Sequence, residues 1–153
     1  MDLILWRHAE ALDLDSPDED MARALTPKGE RQAQRMAGWL NRQLPAGTRI
    51  LASPARRCQQ SAQALERKFK TTDSLAPGAA VESLLHAARW PDAREPVLVV
   101  GHQPTLGLAA AYLLVGQPLA WSVRKGGVWW LRAREREGAL QVVLHAVLSP
   151  ELL

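Results

Sequence analysis

The sequence predicts an α/β fold, a three-layer sandwich with a mostly parallel central sheet flanked by helices and a C-terminal hairpin on the sheet. Three observations carry that reading. Short apolar runs alternate with longer helix-patterned stretches as far as residue 115, the order that builds a parallel sheet with helices on both faces. The 153 residues, 47% hydrophobic and 23% charged, suit one domain spanning residues 1–153. The last thirty residues hold two apolar runs separated by a turn signal at Glu137-Gly138, the pattern of a hairpin.

The elements follow in order. Leu3-Ile4-Leu5-Trp6 is a strand buried on both faces, delivering Arg7-His8 at its carboxyl end. A polar loop leads to Thr26, a suitable N-cap, and to Pro27, which suits the first helical position because proline lacks the N–H orphaned there. The helix runs from about Pro27 to Leu44 with Ala33, Met36, Ala37 and Leu40 on one face, and Pro45 and Gly47 end it. Arg49–Ala52 is the second strand, stopping at Ser53-Pro54, and a helix from about Pro54 to Lys70 follows. Residues 71–95 are mixed, with a turn at Pro77-Gly78 and a short helix near Ser83–Arg89. Pro96–Val100 is the clearest buried strand and ends at Gly101-His102, before a helix from about Pro104 to Val115. Val128–Leu131 and Leu140–Leu148 form the hairpin, with Trp129 and Trp130 on opposite faces.

Composition excludes several functions. The single cysteine, Cys58, cannot form an internal disulfide, so a secreted disulfide scaffold is excluded and a cytoplasmic setting expected. Residues 1–30 hold eight acids and three bases, net −5, while residues 31–153 hold sixteen bases and eight acids, net +8. The bases are scattered rather than clustered in a run, so no nucleic-acid partner is expected. The acidic cluster Asp13, Asp15, Asp18, Glu19 and Asp20 reads as a solvated loop. Pro96–Val123 has 28 residues without Asp, Glu, Lys or Arg, but Gly101–Pro104 and Gln117-Pro118 divide it into pieces shorter than the ~20 residues a membrane helix needs. The amino terminus lacks the basic region and apolar core of a signal peptide. No Walker or dinucleotide motif is present.

In parallel sheets ligands sit beyond the carboxyl ends of the strands. Those ends carry Arg7-His8, Ser53 to Arg57, and Gly101-His102, two arginines and two histidines that suit an anion. Arginine forks match phosphoryl oxygens, a neutral aimed imidazole attacks phosphorus, and a protonated second histidine adds a donor to the equatorial oxygens. Helix N-termini at Pro54 and Pro104 point backbone dipoles toward the same place. This chemistry needs no metal, and no close-spaced ligand pair such as HxxxH is present. Cys58 stands beside Arg57, but Cys58–Gln63 lacks the glycines of a cysteine-phosphatase loop, so the thiol reads as a small helix-face residue. His86 and His145 read as structural or surface groups, Glu10 as a group that orients the site or is simply solvated, and Gly126-Gly127 as a turn into the hairpin or a close approach of backbone to phosphate.

Leu5-Trp6-Arg7-His8-Ala9-Glu10, Leu25-Thr26-Pro27-Lys28-Gly29, Ser53–Ser61 and Val99–Pro104 lie in an order and spacing that resembles the histidine phosphatase superfamily, also called phosphoglycerate-mutase-like. The short length is similar to its SixA-type phosphohistidine phosphatases. The resemblance implies His8 as nucleophile and Arg7, Arg57 and His102 as phosphate-binding catalytic groups. Arg57 rather than Arg56 lies four residues after Ser53, where the family places its clamp. Cys58 and Ser61 depart from the alanine and threonine usual in the family. Glu82 lies near the general acid of larger relatives, although phosphohistidine, with its labile P–N bond, needs a poor acid or none. The expectation is therefore a phosphatase without metal or cofactor, working through phospho-His8 on phosphohistidine in a protein, and monomeric. A small phosphomonoesterase and a phosphate-binding module without turnover remain as alternatives.

Overall fold

Alternate residues of the apolar runs face opposite layers, as the pleat of a strand requires. The computed structural model describes residues 1–13 and 16–153. Strands β1 (Asp2–Arg7), β2 (Arg49–Ala52), β3 (Lys70–Thr71), β4 (Val97–Gly101), β5 (Val128–Arg136) and β6 (Ala139–Leu148) form one sheet in the order β3-β2-β4-β1-β5-β6. The first four are parallel, and β5 and β6 are antiparallel additions beside β1. Ile4, Trp6, Ile50, Leu98 and Val100 pack under Met36, Ala37 and Leu40 of α1 (Pro27–Gln43) and Cys58 and Ala62 of α2 (Arg56–Gln63). Leu3, Leu5, Leu51, Val97 and Val99 face the other layer, under Leu84 of α3 (Val81–Ala87) and Leu106 and Ala110 of α4 (Thr105–Val115). Each fully buried Leu, Ile, Val or Met among them stabilises the fold by about 1.5–3 kcal/mol relative to exposure. Among the described residues no helix is long and apolar enough to cross a membrane.

The register positions the site. Arg7 pairs with Gly101, and Ala52 with Val100. His8, Ser53 and His102 therefore leave the sheet at one edge, from neighbouring strands about 4.8 Å apart.

The start of α1 agrees with its sequence signals: Thr26 Oγ1 accepts the Gly29 N–H at 2.9 Å, and Pro27 is the first helical residue. Gly29 is required for packing, because a Cβ there would lie 2.0 Å from the Glu10 carbonyl oxygen. The helix expected over 54–70 is shorter. It starts at Arg56 and ends at Gln63, and Glu66 turns the chain with φ 55° so that Lys70-Thr71 can pair with β2. Asn41 Nδ2 and Arg67 anchor this exit, to the carbonyls of Leu65 and of Leu44 and Pro45, tertiary bonds that helical periodicity does not register. Strand β5 likewise runs on to Arg136, past the apolar residues that announce it, because each added residue gains a ladder partner in β6. Glu137 (φ 54°) and Gly138 (φ 79°) make the tight turn between them. Trp130 is buried, and Trp129 on the opposite face is half-buried against Trp121 at 5.8 Å between ring centroids.

Candidate active site

The sheet register brings the two histidines together, with ring centroids 5.3 Å apart and both side chains buried. His8 sits one residue beyond β1, its backbone clasped by His8 N–H to Gly101 O (3.2 Å) and Gly126 N–H to His8 O (2.9 Å). Its Nδ1 lies 2.7 Å from the Ala9 carbonyl oxygen, which can only accept, so the proton is on Nδ1 and the Nε2 lone pair is free. Burial pushes the His8 pKa down to about 3, the Ala9 bond opposes this, and the charges of His102, Arg57 and Arg7 add to it. His8 is neutral at physiological pH, as a nucleophile must be.

His102 is fixed from both sides. Arg57 Nη2 donates to its Nδ1 at 3.3 Å, so Nε2 bears the proton and donates to Ser53 Oγ at 2.7 Å. Burial lowers its pKa to about 4, with the Arg57 charge adding to the effect. His102 is thus a neutral ring in this arrangement. An approaching dianion would raise its pKa and favour the imidazolium.

Arg57 is buried and bonded to His102, whereas Arg56 is exposed. Besides His102, the Arg57 fork reaches Asp20: Nη1 to the carbonyl at 2.7 Å and Nη2 to the carboxylate at 3.2 Å. Arg7 Nη1 donates to the Val123 carbonyl at 2.9 Å, and burial, then the Arg57 charge, lowers its pKa. Among the described residues the Nε groups of both Arg7 and Arg57 are buried without a partner. Buried donors are rarely left unpaired, and two on neighbouring guanidiniums suit an anion that would accept from them.

The acidic loop is more than a solvated segment. Asp20, in the 3-10 helix Pro17–Ala22, accepts from both Arg57 and Arg23. Burial acts to raise its carboxyl, but the Arg23 bond and the Arg57 charge outweigh burial and hold it below the usual range. Asp15 lies outside the described residues. Asp20 has no sequence signal for its role, and Ser53, although it heads one of the segments that carry the family resemblance, has none for its bond to His102.

Glu10 is anchored rather than simply solvated: Thr26 Oγ1 donates to its carboxylate at 2.8 Å, and its N–H donates to Gln32 Oε1 at 3.0 Å. Cys58 packs in the core with its thiol pushed up to about 12 by burial, which outweighs the lowering by Arg57. That removes it as a thiolate nucleophile at neutral pH. Glu82 is exposed in the first turn of α3 and joins none of the four central residues by hydrogen bond or ion pair. The α3 approach is tied to α4 through Thr105 Oγ1, which donates to the Ala79 carbonyl at 2.6 Å. The amino ends of helices lie slightly later than expected, at Arg56 and Thr105. His86 and His145 are exposed. Gly126-Gly127 serves the turn: Gly126 has φ 72°, and its N–H holds the His8 carbonyl.

A family model described as histidine phosphatase superfamily (branch 1) matches residues 3–80. An uncharacterized protein of Picosynechococcus sp. is 32% identical, over 95% of this chain and 90% of that protein. Among solved structures, a Nakamurella multipartitia protein assigned as the phosphohistidine phosphatase SixA aligns with TM-score 0.80 and 26% identity, covering 97% of this chain and 95% of that one. The protein histidine phosphatase SixA complexed with tungstate aligns with TM-score 0.76 and 26% identity, covering 99% of both chains.

Proposed function

The chain belongs to the histidine phosphatase superfamily, branch 1, and from that premise we propose that it hydrolyses phosphohistidine on a protein through a phosphorylated His8. The observation that carries this reading is the state of His8: buried, neutral, and with Nδ1 bonded to Ala9 so that Nε2 is the reactive nitrogen. In the first step the Nε2 lone pair forms a bond to phosphorus as the P–N bond to the substrate imidazole breaks. That imidazole, protonated on its other nitrogen, leaves as a neutral ring, so the enzyme need not supply a strong acid. In the second step water adds to phosphorus and the P–Nε2 bond breaks. The electron pair returns to Nε2, one proton stays on hydrogen phosphate, and the other goes to solvent.

Arg7 and Arg57 hold the phosphoryl oxygens through guanidinium donors; as the dianion draws Arg57 Nη2 away from His102 Nδ1, that nitrogen takes up a proton and becomes a further donor as charge redistributes. Ser53 positions His102, and Asp20 occupies part of the Arg57 fork that the incoming dianion would take. The substrate choice is supported by the likeness to SixA-type structures and by Glu82, which is exposed and makes no hydrogen bond to Arg7, His8, Arg57 or His102.

The test compares kcat/KM on a phosphohistidine-bearing protein with that on phosphoserine and p-nitrophenyl phosphate, using the protein and its Glu82→Gln variant. We expect phosphohistidine to lead by about tenfold or more, with Glu82→Gln within about twofold on it. Faster turnover of phosphomonoesters, lost in Glu82→Gln, would move the assignment to a small-molecule phosphatase. Vanadate binding without hydrolysis of any substrate would reduce the protein to a phosphate-binding module.

A further inference from the structure

We propose that a basic groove between α1 and the C-terminal 3-10 helix Pro150–Leu152 docks an acidic segment of the phosphorylated protein, an inference that rests on the substrate reading above. The groove has a volume of about 280 Å³ and is lined by Lys28, Arg31, Gln32, Arg35, Pro150 and Glu151. Lys28, Arg31 and Arg35 stand at positions i, i+3 and i+7 of α1, one face of the helix over a rise of about 10 Å. Arg124 and Lys125, just before β5, add two more exposed cations. Among the described residues none of these five has a carboxylate within 4.0 Å. This differs from Arg23, Arg57 and Arg132, each of which is ion-paired.

Glu151 lies in the groove, and its carboxyl is held below the usual range by the Ser149 hydroxyl and its own backbone N–H, then by the charges of Arg124 and Lys28. No aromatic residue lines the groove, so it lacks the stacking platforms that a single-stranded nucleic acid uses. Charge complementarity therefore favours an acidic polypeptide.

Its place in the fold links it to catalysis. Helix α1 begins at the sheet edge where His8 emerges, and β5, antiparallel to β1, begins at that same edge. Gly126 joins the two sites: its N–H donates to the His8 carbonyl at 2.9 Å, while a Cβ on it would lie 2.8 Å from Pro150 Cγ and 3.6 Å from Gln32 Cβ. Gln32, in turn, accepts the Glu10 N–H at 3.0 Å. The groove wall is thus one residue behind the nucleophile. Asp13, Asp18, Glu19 and Asp20 of the acidic loop repel an acidic partner from their own side and orient it toward the groove.

Two measurements on the full chain test the proposal, with Lys28→Gln/Arg31→Gln/Arg35→Gln as the variant and thermal melting as the check on its fold. Fluorescence anisotropy with a labelled ten-residue oligoglutamate peptide is expected to show binding that weakens with salt and falls about tenfold in the variant. Unchanged peptide binding, or tighter binding of a ten-nucleotide single-stranded DNA, overturns the proposal. On a phosphohistidine-bearing acidic protein, the variant is expected to lose about tenfold in kcat/KM through KM, while turnover of phosphoramidate, too small to reach the groove, stays within about twofold. Equal losses on both substrates overturn it as well. If the unsubstituted protein hydrolyses no phosphohistidine substrate, the substrate reading fails, and the peptide arm still decides the groove.

Discussion

Ser53→Ala removes one hydroxyl that touches no phosphoryl oxygen in the proposed mechanism, so its effect measures how much catalysis depends on the orientation of His102. In the folded protein His102 Nε2–H donates to Ser53 Oγ at 2.7 Å, and both groups are buried. Losing the acceptor leaves the buried N–H with only the weakly accepting Cys58 Sγ at 3.5 Å, which costs about 1–3 kcal/mol. The same bond keeps the proton off Nδ1, which accepts from Arg57 Nη2 at 3.3 Å. Without it the ring can place its proton against the guanidinium and the Arg57–His102 pair loses its geometry. If the cost falls on the transition state, kcat/KM drops by about 5- to 150-fold, with most of the change in kcat. Steady-state kinetics on a phosphohistidine substrate, together with ¹⁵N shifts of the His102 ring, read both effects. Activity within about twofold of the parent with an unchanged tautomer would refute the argument that Ser53 positions His102.

Three other predictions follow from the same geometry. His8 and His102 titrate at about 3 and about 4 when folded, against 6.5 in an open chain, so below pH 6.5 the unfolded chain takes up protons that the folded protein refuses. Stability is therefore full above that pH and falls on acidification, by about 2 kcal/mol per histidine at pH 5, and urea midpoints that match at pH 7 and pH 5 would contradict this. Asp20→Asn removes a negative charge that shares Arg57 with the incoming dianion, so vanadate inhibition should tighten by about fivefold, whereas weaker inhibition would mean that Asp20 chiefly positions Arg57. Gly29→Ala forces a methyl to within 2.0 Å of the Glu10 oxygen. We expect a loss of about 1–3 kcal/mol and a melting temperature lower by about 3–10 °C, and an unchanged melt would show that the loop moves away freely.

The fold was legible where one physical constraint dominates a stretch of sequence. Burial on both faces writes itself as continuous apolar runs in β1, β2 and β4, and the orphan N–H rule explains why Thr26-Pro27 opens α1. It was illegible where a tertiary bond decides the outcome. Residues 64–70 retain helical character, yet the chain leaves the helix because Asn41 and Arg67 hold the exit and β2 offers Thr71 a partner. Arg7, His8, Arg57 and His102 could be read because strand ends in a parallel sheet converge, and the register then places them side by side. The tautomers could not, since they depend on which atom lies within 3.3 Å of each ring nitrogen. In the sequence Asp20 reads as solvated because its partner, Arg57, lies 37 residues away in the chain.

The claim that matters most is that phosphate passes through His8. Brief reaction with ³²P-labelled phosphohistidine protein, quenched in alkali and digested, should leave acid-labile label on the peptide containing His8 and nowhere else. The His8→Ala variant should neither carry label nor turn over substrate. Turnover by His8→Ala, or base-stable label on a peptide containing His102 or Cys58 instead of His8, would contradict the account.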